Sequence, residues 1–279
     1  MKNFRIIFLL LAVINLGFSQ TTAIKVEIIG KGDPVLFLPG FTNPGSIWKE
    51  TVHQLQGNHK SYLISYAGFN GNAPIEMPWY DTIKNELIDY IKTNNLTNVQ
   101  IIGHSMGGNL AIDIAVALPK KIESLVIVDS IPCMRELMMP GVPENKIQYK
   151  SPYNEQMMAM DTIQFRQTAR MMAQNMTNKK DKIDILEHWI MEADRKTYVY
   201  GYTDLLKLDL RKVLNKVEAK TLILGAAFPT IEIAKANYEK QYATLSKKTI
   251  IMVPDSKHFI MFDQPALFYK KVNSFLVHE

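Results

Sequence analysis

The strongest chemical signal in the sequence is a serine framed by glycines. Residues 103–107 read Gly-His-Ser-Met-Gly, and residue 108 is a further glycine. This is the G-x-S-x-G pattern, in which a sharp turn from strand to helix lifts the Ser105 hydroxyl above a sheet. Glycine suits the flanking positions because a side chain would clash across so tight a turn. The first amides of the following helix point at developing negative charge. The motif therefore predicts Ser105 as a nucleophile in acyl transfer.

A nucleophilic serine needs a base, and histidine is the residue type best suited to supply it. His258 lies in the short loop 253–259, between an apolar run and a C-terminal helical pattern. Imidazole titrates near working pH, so it can take the serine proton and return it to a leaving group. We predict packing or surface roles for the other five histidines: His53, His59, His104, His188 and His278.

These side chains need a scaffold, and strand and helix patterns alternate along the chain. Apolar runs predict strands at 24–29, 35–38, 61–66, 99–102, 125–128, 221–224 and 249–253. A helical period predicts helices at about 79–94, 106–118, 231–242 and 266–277. This alternation favours βαβ units, and so an α/β fold with a mostly parallel, twisted sheet and helices on both faces.

One long stretch departs from this alternation. Residues 131–215 carry helical patterns without a convincing buried strand, and they hold ten of the fifteen methionines. We interpret them as a helical cap inserted into a core domain made of residues 20–130 and 216–279. Methionine is flexible and polarizable, so it suits a tolerant apolar pocket as well as the interior of the cap.

The chain resembles the α/β-hydrolase superfamily, in its lipase, esterase and lactonase-like form with a helical lid. The resemblance covers about residues 24–276 and rests on the serine motif, the His258 loop and the segment 35–41. That segment is similar to the strand and oxyanion loop of the family, with Pro39-Gly40 in place of the usual His-Gly. The resemblance implies that His258, in a loop similar to the family's base-bearing loop, is the base. It also implies that the backbone amides of Phe41 and Met106 form the oxyanion hole.

The acid of the implied triad departs from the commonest family pattern. Most relatives carry an aspartate in the turn after the family's seventh strand, but residues 224–230 here contain no carboxylate. A second branch of the family places the acid at the end of the sixth strand, where this chain has Asp129. We predict the triad Ser105, Asp129 and His258. Glu232 stays open as an alternative acid.

The ends and composition of the chain carry further expectations. Lys2 and Arg5 precede the apolar run 6–16, and small residues follow it, which predicts a signal peptide over residues 1–19. An anchor helix is the alternative, although the run is shorter than the roughly 20 residues of a membrane span. We therefore expect an exported protein, periplasmic or secreted, without a stable membrane span after cleavage. The single cysteine, Cys133, excludes an internal disulfide.

Together these patterns predict a serine hydrolase that cleaves an ester of a small, apolar molecule. The lid residues expected at the substrate are Met134, Met138, Met157 and Met160. The formal charge of +5, about +3 without Lys2 and Arg5, gives no reason to expect nucleic acid. No metal-ligand spacing or phosphate-binding glycine pattern is present, so no metal or cofactor is expected. Lactonase, amidase, peptidase or acyltransferase activity with the same triad stays open, and so does a binding protein with an idle triad.

Overall fold

The computed structural model describes residues 22–276. The predicted signal peptide over residues 1–19 lies outside the described residues. The strands are β1 (Ile24–Gly30), β2 (Asp33–Leu38), β3 (His59–Tyr66), β4 (Val99–His104), β5 (Ile122–Val128), β6 (Lys220–Ala226) and β7 (Lys248–Val253). The helices outside the predicted cap are α1 (Lys49–Gln54), α2 (Trp79–Thr93), α3 (Met106–Ala117), α9 (Ile231–Gln241), α10 (Ile260–Asp263) and α11 (Pro265–Leu276).

The strands form one sheet in the order β1-β3-β2-β4-β5-β6-β7. Only β1 pairs antiparallel to its neighbour, while the pairs from β3 to β7 are all parallel. The predicted α/β fold with a mostly parallel sheet is therefore confirmed. The chain leaves β2 for β3 on one side and then crosses to β4 on the other, so the order reverses between β2 and β4. In open α/β sheets, ligands bind beyond the carboxyl ends of the strands at such a point.

Both faces of the sheet are covered, which explains the continuous apolar runs in its central strands. Leu36 and Leu38 of β2 pack into a core that includes residues of α2 and α3. Val35 and Phe37 of the same strand pack into a second core that includes residues of α11. Because side chains alternate along a strand, one buried strand supplies both cores.

The chain between β5 and β6 is helical throughout its regular structure. Its α-helices are α4 (Met134–Met138), α5 (Pro152–Ala159), α6 (Thr162–Met176), α7 (Ile183–Met191) and α8 (Arg195–Lys207). Asp161 is the N-cap of α6 and forms a capping box with Gln164. This region coincides with the segment that we interpret as a cap. Among the described residues, no helix combines the length and apolar character needed to cross a bilayer.

Candidate active site

Ser105 stands on a strained turn between β4 and α3. Its backbone has φ 53° and ψ −123°, a conformation that a residue other than glycine adopts only when the surroundings enforce it. Neighbouring glycines make the turn possible. A Cβ on Gly107 would lie 2.1 Å from the Leu38 carbonyl oxygen, and one on Gly103 would lie 2.3 Å from the Gly107 oxygen. The Ser105 amide donates to the Val128 carbonyl at 2.9 Å, which fixes the turn to β5.

The loop after β7 brings His258 against Asp129 at the end of β5. His258 Nδ1 lies 2.6 Å from Asp129 Oδ2. Because a carboxylate only accepts, Nδ1 carries the proton and Nε2 is left as the basic nitrogen. Ser105, Asp129 and His258 all line one cavity of about 450 Å³. The structure thus brings together the three residues that the sequence predicts as a triad.

Asp129 is held in place by its backbone and by both carboxylate oxygens. Its φ of 44° turns the chain sharply after β5, and its amide donates to the Leu224 carbonyl at 2.8 Å. Asp129 Oδ1 accepts hydrogen bonds from the Ala226 amide and the Tyr238 hydroxyl, each at 2.8 Å. Burial alone would raise the pKa of Asp129, but hydrogen bonds from His258, Ala226 and Tyr238 outweigh burial and lower that pKa. The carboxylate is therefore ionised at neutral pH.

Glu232, the alternative acid, lies elsewhere. It is exposed in the first turn of α9 and is not among the residues that line the cavity. Asp255 shares the loop of His258 but is also exposed, and its carbonyl accepts hydrogen bonds from Asn178 and Gln264. Within residues 22–276, Asp129 is the carboxylate bonded to His258.

The loop after β2 carries the predicted oxyanion amide of Phe41. The Tyr66 hydroxyl donates to the Pro39 carbonyl at 3.2 Å, and Asn70 Nδ2 donates to the Thr42 carbonyl at 2.8 Å. A Cβ on Gly40 would lie 2.8 Å from His104 Nδ1, so this loop packs directly against the serine turn. Asn70, in the Gly/Asn-rich turn after β3, therefore supports the loop.

The Phe41 ring is not among the side chains that line the cavity. It packs within 6 Å of four aromatic rings, in T-shaped or tilted arrangements typical of aromatic pairs. These rings belong to Phe69, Trp79, Tyr198 and Tyr202. Burial among the rings stabilises the side chain better than exposure in an open cavity would.

Apolar side chains from two sides enclose the cavity. Helix α4 and its approach contribute Ile131, Leu137 and the predicted lid residues Met134 and Met138. The other predicted lid residues lie apart from it. Met157 is buried in the large core cluster, and Met160 borders a separate surface hollow near Gln164.

Sequence reasoning missed the opposite wall of the cavity. Phe228, Pro229 and Ile233 come from the turn after β6 and from α9, and Phe228 is 61% exposed. The missed signal was the Ala-Ala-Phe-Pro stretch at residues 226–229, in the turn after β6 that contains no carboxylate. Apolar residues in a turn that borders a predicted site could have been read as part of its wall.

Comparison with known proteins agrees with this geometry. A model of the alpha/beta hydrolase family matches residues 35–271. The chain belongs to the α/β-hydrolase family. The family resemblance predicted from the sequence is therefore confirmed.

Two relatives and one solved structure illustrate where this α/β hydrolase lies within the family. It is 29% identical over 206 residues to a pimeloyl-[acyl-carrier protein] methyl ester esterase of Aeromonas salmonicida, covering 69% of this chain and 75% of the relative. It is 25% identical to an sn-1-specific diacylglycerol lipase of Danio rerio, covering 92% and 85%. An esterase from Exiguobacterium antarcticum superposes with a TM-score of 0.72 at 19% identity, covering 90% of this chain and 94% of the other.

His104 supports the loop that carries His258 in this α/β hydrolase. Its ring is fully buried, and Nε2 lies 2.9 Å from the His258 carbonyl oxygen, so Nε2–H is the donor. Burial, with the nearby His258, lowers the pKa of His104 to about 3. The ring therefore stays neutral in the folded protein at any pH at which the enzyme is expected to work.

A neutral buried histidine makes stability depend on pH. The unfolded chain binds a proton at His104 below about pH 6.5, whereas the folded chain binds it only near pH 3. Stability therefore falls as pH falls through this window, by up to about 1.4 kcal/mol per pH unit from this group. We expect His104→Gln, which keeps an N–H donor, to flatten the slope measured by urea unfolding at pH 7, 5.5 and 4.5. His53→Gln, at an exposed histidine, is the control. Equal slopes in both variants would contradict the assignment.

Between residues 22 and 276, no three His, Cys, Asp or Glu side chains form a group that could hold a metal ion. Cys133 is buried, and its backbone exchanges hydrogen bonds with the Gln241 side chain. It packs as a small core residue.

Proposed function

We propose that this protein is a serine hydrolase that cleaves carboxylic esters through an acyl-enzyme intermediate. The observation that carries the proposal is the hydrogen bond from His258 to Asp129 in the cavity that also contains Ser105. A strained serine, a histidine with a basic Nε2 and a partly buried carboxylate are the components of triad catalysis. Ester cleavage is also the activity named for the relatives from Aeromonas salmonicida and Danio rerio.

In the proposed mechanism, each residue has one role in each step. His258 Nε2 takes the Ser105 proton as Oγ attacks the ester carbonyl. The backbone amides of Phe41 and Met106 stabilise the oxyanion. His258 then protonates the leaving alcohol and activates a water that releases the acid. Asp129 stays ionised, keeps the proton on Nδ1 and stabilises the imidazolium that forms in both steps.

We propose a small, apolar acyl group as the part of the substrate that enters the cavity. Its walls are dominated by apolar side chains such as Met106, Met134, Leu205 and Ile233, while Lys257 is the cationic residue among the lining residues. A pocket of about 450 Å³ lies within the range that small-molecule sites occupy. Flexible methionines in the wall favour tolerance of acyl shape over strict selection.

A substrate panel tests this proposal. On nitrophenyl esters, we expect kcat/KM to rise from acetyl to medium-length aliphatic acyl groups and to fall for charged ones. Lactones and aminoacyl amides in the same assay separate esterase activity from the lactonase and amidase alternatives. Added alcohol acceptors report acyl transfer. Preference for charged acyl groups over aliphatic ones would contradict the apolar pocket, and absence of turnover on every class would favour a binding protein with an idle triad.

We propose that the protein is exported, to the periplasm or the medium. The proposal rests on the sequence of residues 1–19, where a basic start precedes an apolar run and small residues. Mass spectrometry of the N-terminus after expression in a native-like host checks this. An intact Met1 on the mature protein would contradict it.

A further inference from the structure

The turn after β6 lies beside the proposed acid of the site. It lacks a carboxylate, but it still contacts the acid of the site. The Ala226 amide at the end of β6 donates to Asp129 Oδ1 at 2.8 Å. Tyr238, in the helix α9 that follows the turn, donates its hydroxyl hydrogen bond to the same oxygen, also at 2.8 Å. The end of β6 and helix α9 therefore both hold the carboxylate of Asp129, which follows the neighbouring strand β5.

The fit of Tyr238 depends on a glycine in β6. A Cβ on Gly225 would lie 2.8 Å from both Cε2 and Cζ of the Tyr238 ring. Any larger residue there would therefore displace the ring that carries the hydroxyl bonded to Asp129. The ring also stacks on Tyr242, with the ring centroids 6.1 Å apart and 12° between the planes, and the Tyr242 hydroxyl donates to the Ser130 carbonyl at 2.8 Å. Tyr238 is 5% exposed and so is packed tightly in place.

The chemistry of the pair fixes the direction of the hydrogen bond. Burial and the nearby Asp129 charge raise the pKa of Tyr238 well above its ordinary value. Its hydroxyl therefore keeps its proton and acts as a donor, while the ionised carboxylate can only accept. Hydrogen bonds to an ionised acceptor are shorter and stronger than those between neutral groups.

We propose that Tyr238 is a positioning residue for the hydrolytic reaction, holding Asp129 Oδ1 so that Oδ2 faces His258 Nδ1. The inference rests on the proposed function, because it assigns Tyr238 a role through Asp129. A carboxylate with one free oxygen can rotate about its Cβ–Cγ bond and lose its alignment with the imidazole. Two donors on Oδ1, one from β6 and one from α9, prevent that rotation. Tyr238 itself contacts neither Ser105 nor the reacting carbonyl in this mechanism.

The direct test is Tyr238→Phe, which removes only the hydroxyl. We expect kcat on a nitrophenyl ester to fall about tenfold, equivalent to about 1.4 kcal/mol, with KM unchanged. Gly225→Ala should lower kcat in the same way, because its Cβ displaces the ring. Tyr80→Phe is the matched control, since the Tyr80 hydroxyl also donates to a partly buried carboxylate, Asp113, at 2.9 Å. Neither residue of that pair lines the cavity, so its loss should leave kcat unchanged.

A double-mutant cycle separates positioning from a general loss of structure. If Tyr238 acts through Asp129, Tyr238→Phe lowers kcat in the wild-type background and has no further effect in Asp129→Asn. Equal effects in both backgrounds, or a wild-type kcat for Tyr238→Phe, would overturn the proposal. Failure of the proposed function gives a different result, because the wild-type protein would then turn over no ester, or Ser105→Ala would retain the wild-type rate, whatever residue 238 is.

Discussion

We expect Ser105→Ala to lose ester turnover by at least three orders of magnitude in kcat, while the protein stays folded. Without the hydroxyl, no acyl-enzyme can form. The residual rate would reflect water attack on an ester bound beside the Phe41 and Met106 amides. Alanine keeps a Cβ at a position with φ 53°, so the strained turn remains. Steady-state kinetics on a nitrophenyl ester and a thermal unfolding curve measure both effects.

A serine elsewhere gives the control for this loss. Ser46 is exposed at the start of the short turn before α1 and does not line the cavity. Ser46→Ala makes the same chemical change and should keep the wild-type kcat. A folded Ser105→Ala variant that retained its esterase rate would remove Ser105 from the mechanism. A variant that failed to unfold cooperatively would show damage to the turn instead, and Ser105→Gly would then replace it in the assay.

We expect Asp129→Asn to lower kcat by about four orders of magnitude. The amide oxygen of the new side chain can still accept from Ala226 and Tyr238, which places its NH₂ group toward His258. Nδ1 must then be the acceptor, so the imidazole proton moves to Nε2. Because Nε2 then carries a proton, it cannot take the proton of Ser105. The fold survives, since the hydrogen bonds on Oδ1 persist, and KM should change little.

Matched variants separate this effect from the removal of any buried charge. Asp113 is a partly buried carboxylate that accepts a hydrogen bond from the Tyr80 hydroxyl. Neither residue lines the cavity. Asp113→Asn should keep kcat, with at most a loss of stability. Glu232→Gln tests the alternative acid. A near-wild-type rate for Asp129→Asn together with a large loss for Glu232→Gln would move the orienting role to α9.

Much of this fold could be predicted because its central strands are buried on both faces. Continuous apolar runs at residues 35–38 and 99–102 require burial from two sides, and only a covered parallel sheet offers that. Such strands need crossover helices, so the alternation of patterns followed from the same constraint. The predicted strands were shorter than β3, β4 and β6, because strand ends pair through backbone groups that side-chain patterns do not report.

Ser105 and His258 could also be predicted from short stretches of the chain. The glycine-framed motif indicated Ser105, and the loop that resembles the family's base-bearing loop indicated His258. Ser105 needs glycines beside it, whatever the rest of the protein does. The family resemblance implied Asp129, because one branch of the family places the acid at the end of the sixth strand and the commoner position, the turn after β6, holds no carboxylate here. Its contact with His258 joins residues 129 positions apart, and such a contact follows from the fold rather than from any local pattern.

Other features depended on packing that periodicity does not encode. A helical period identifies the buried face of α9, but not that Tyr238 reaches across β6 to Asp129. The same holds in the predicted cap, where Met134 and Met138 line the cavity and Met157 points into the core. Methionine fits either environment at similar cost. Composition predicted a methionine-rich cap without identifying the members that face the substrate.

The most direct test of the account is to locate the nucleophile chemically. The purified protein is treated with a fluorophosphonate, digested and analysed by mass spectrometry, beside Ser105→Ala and His258→Ala variants. The account predicts rapid formation of a single adduct on Ser105. That adduct should be absent from Ser105→Ala and form far more slowly in His258→Ala, because the base is missing. An adduct on another serine, or labelling of Ser105 at an equal rate without His258, would contradict the central claim.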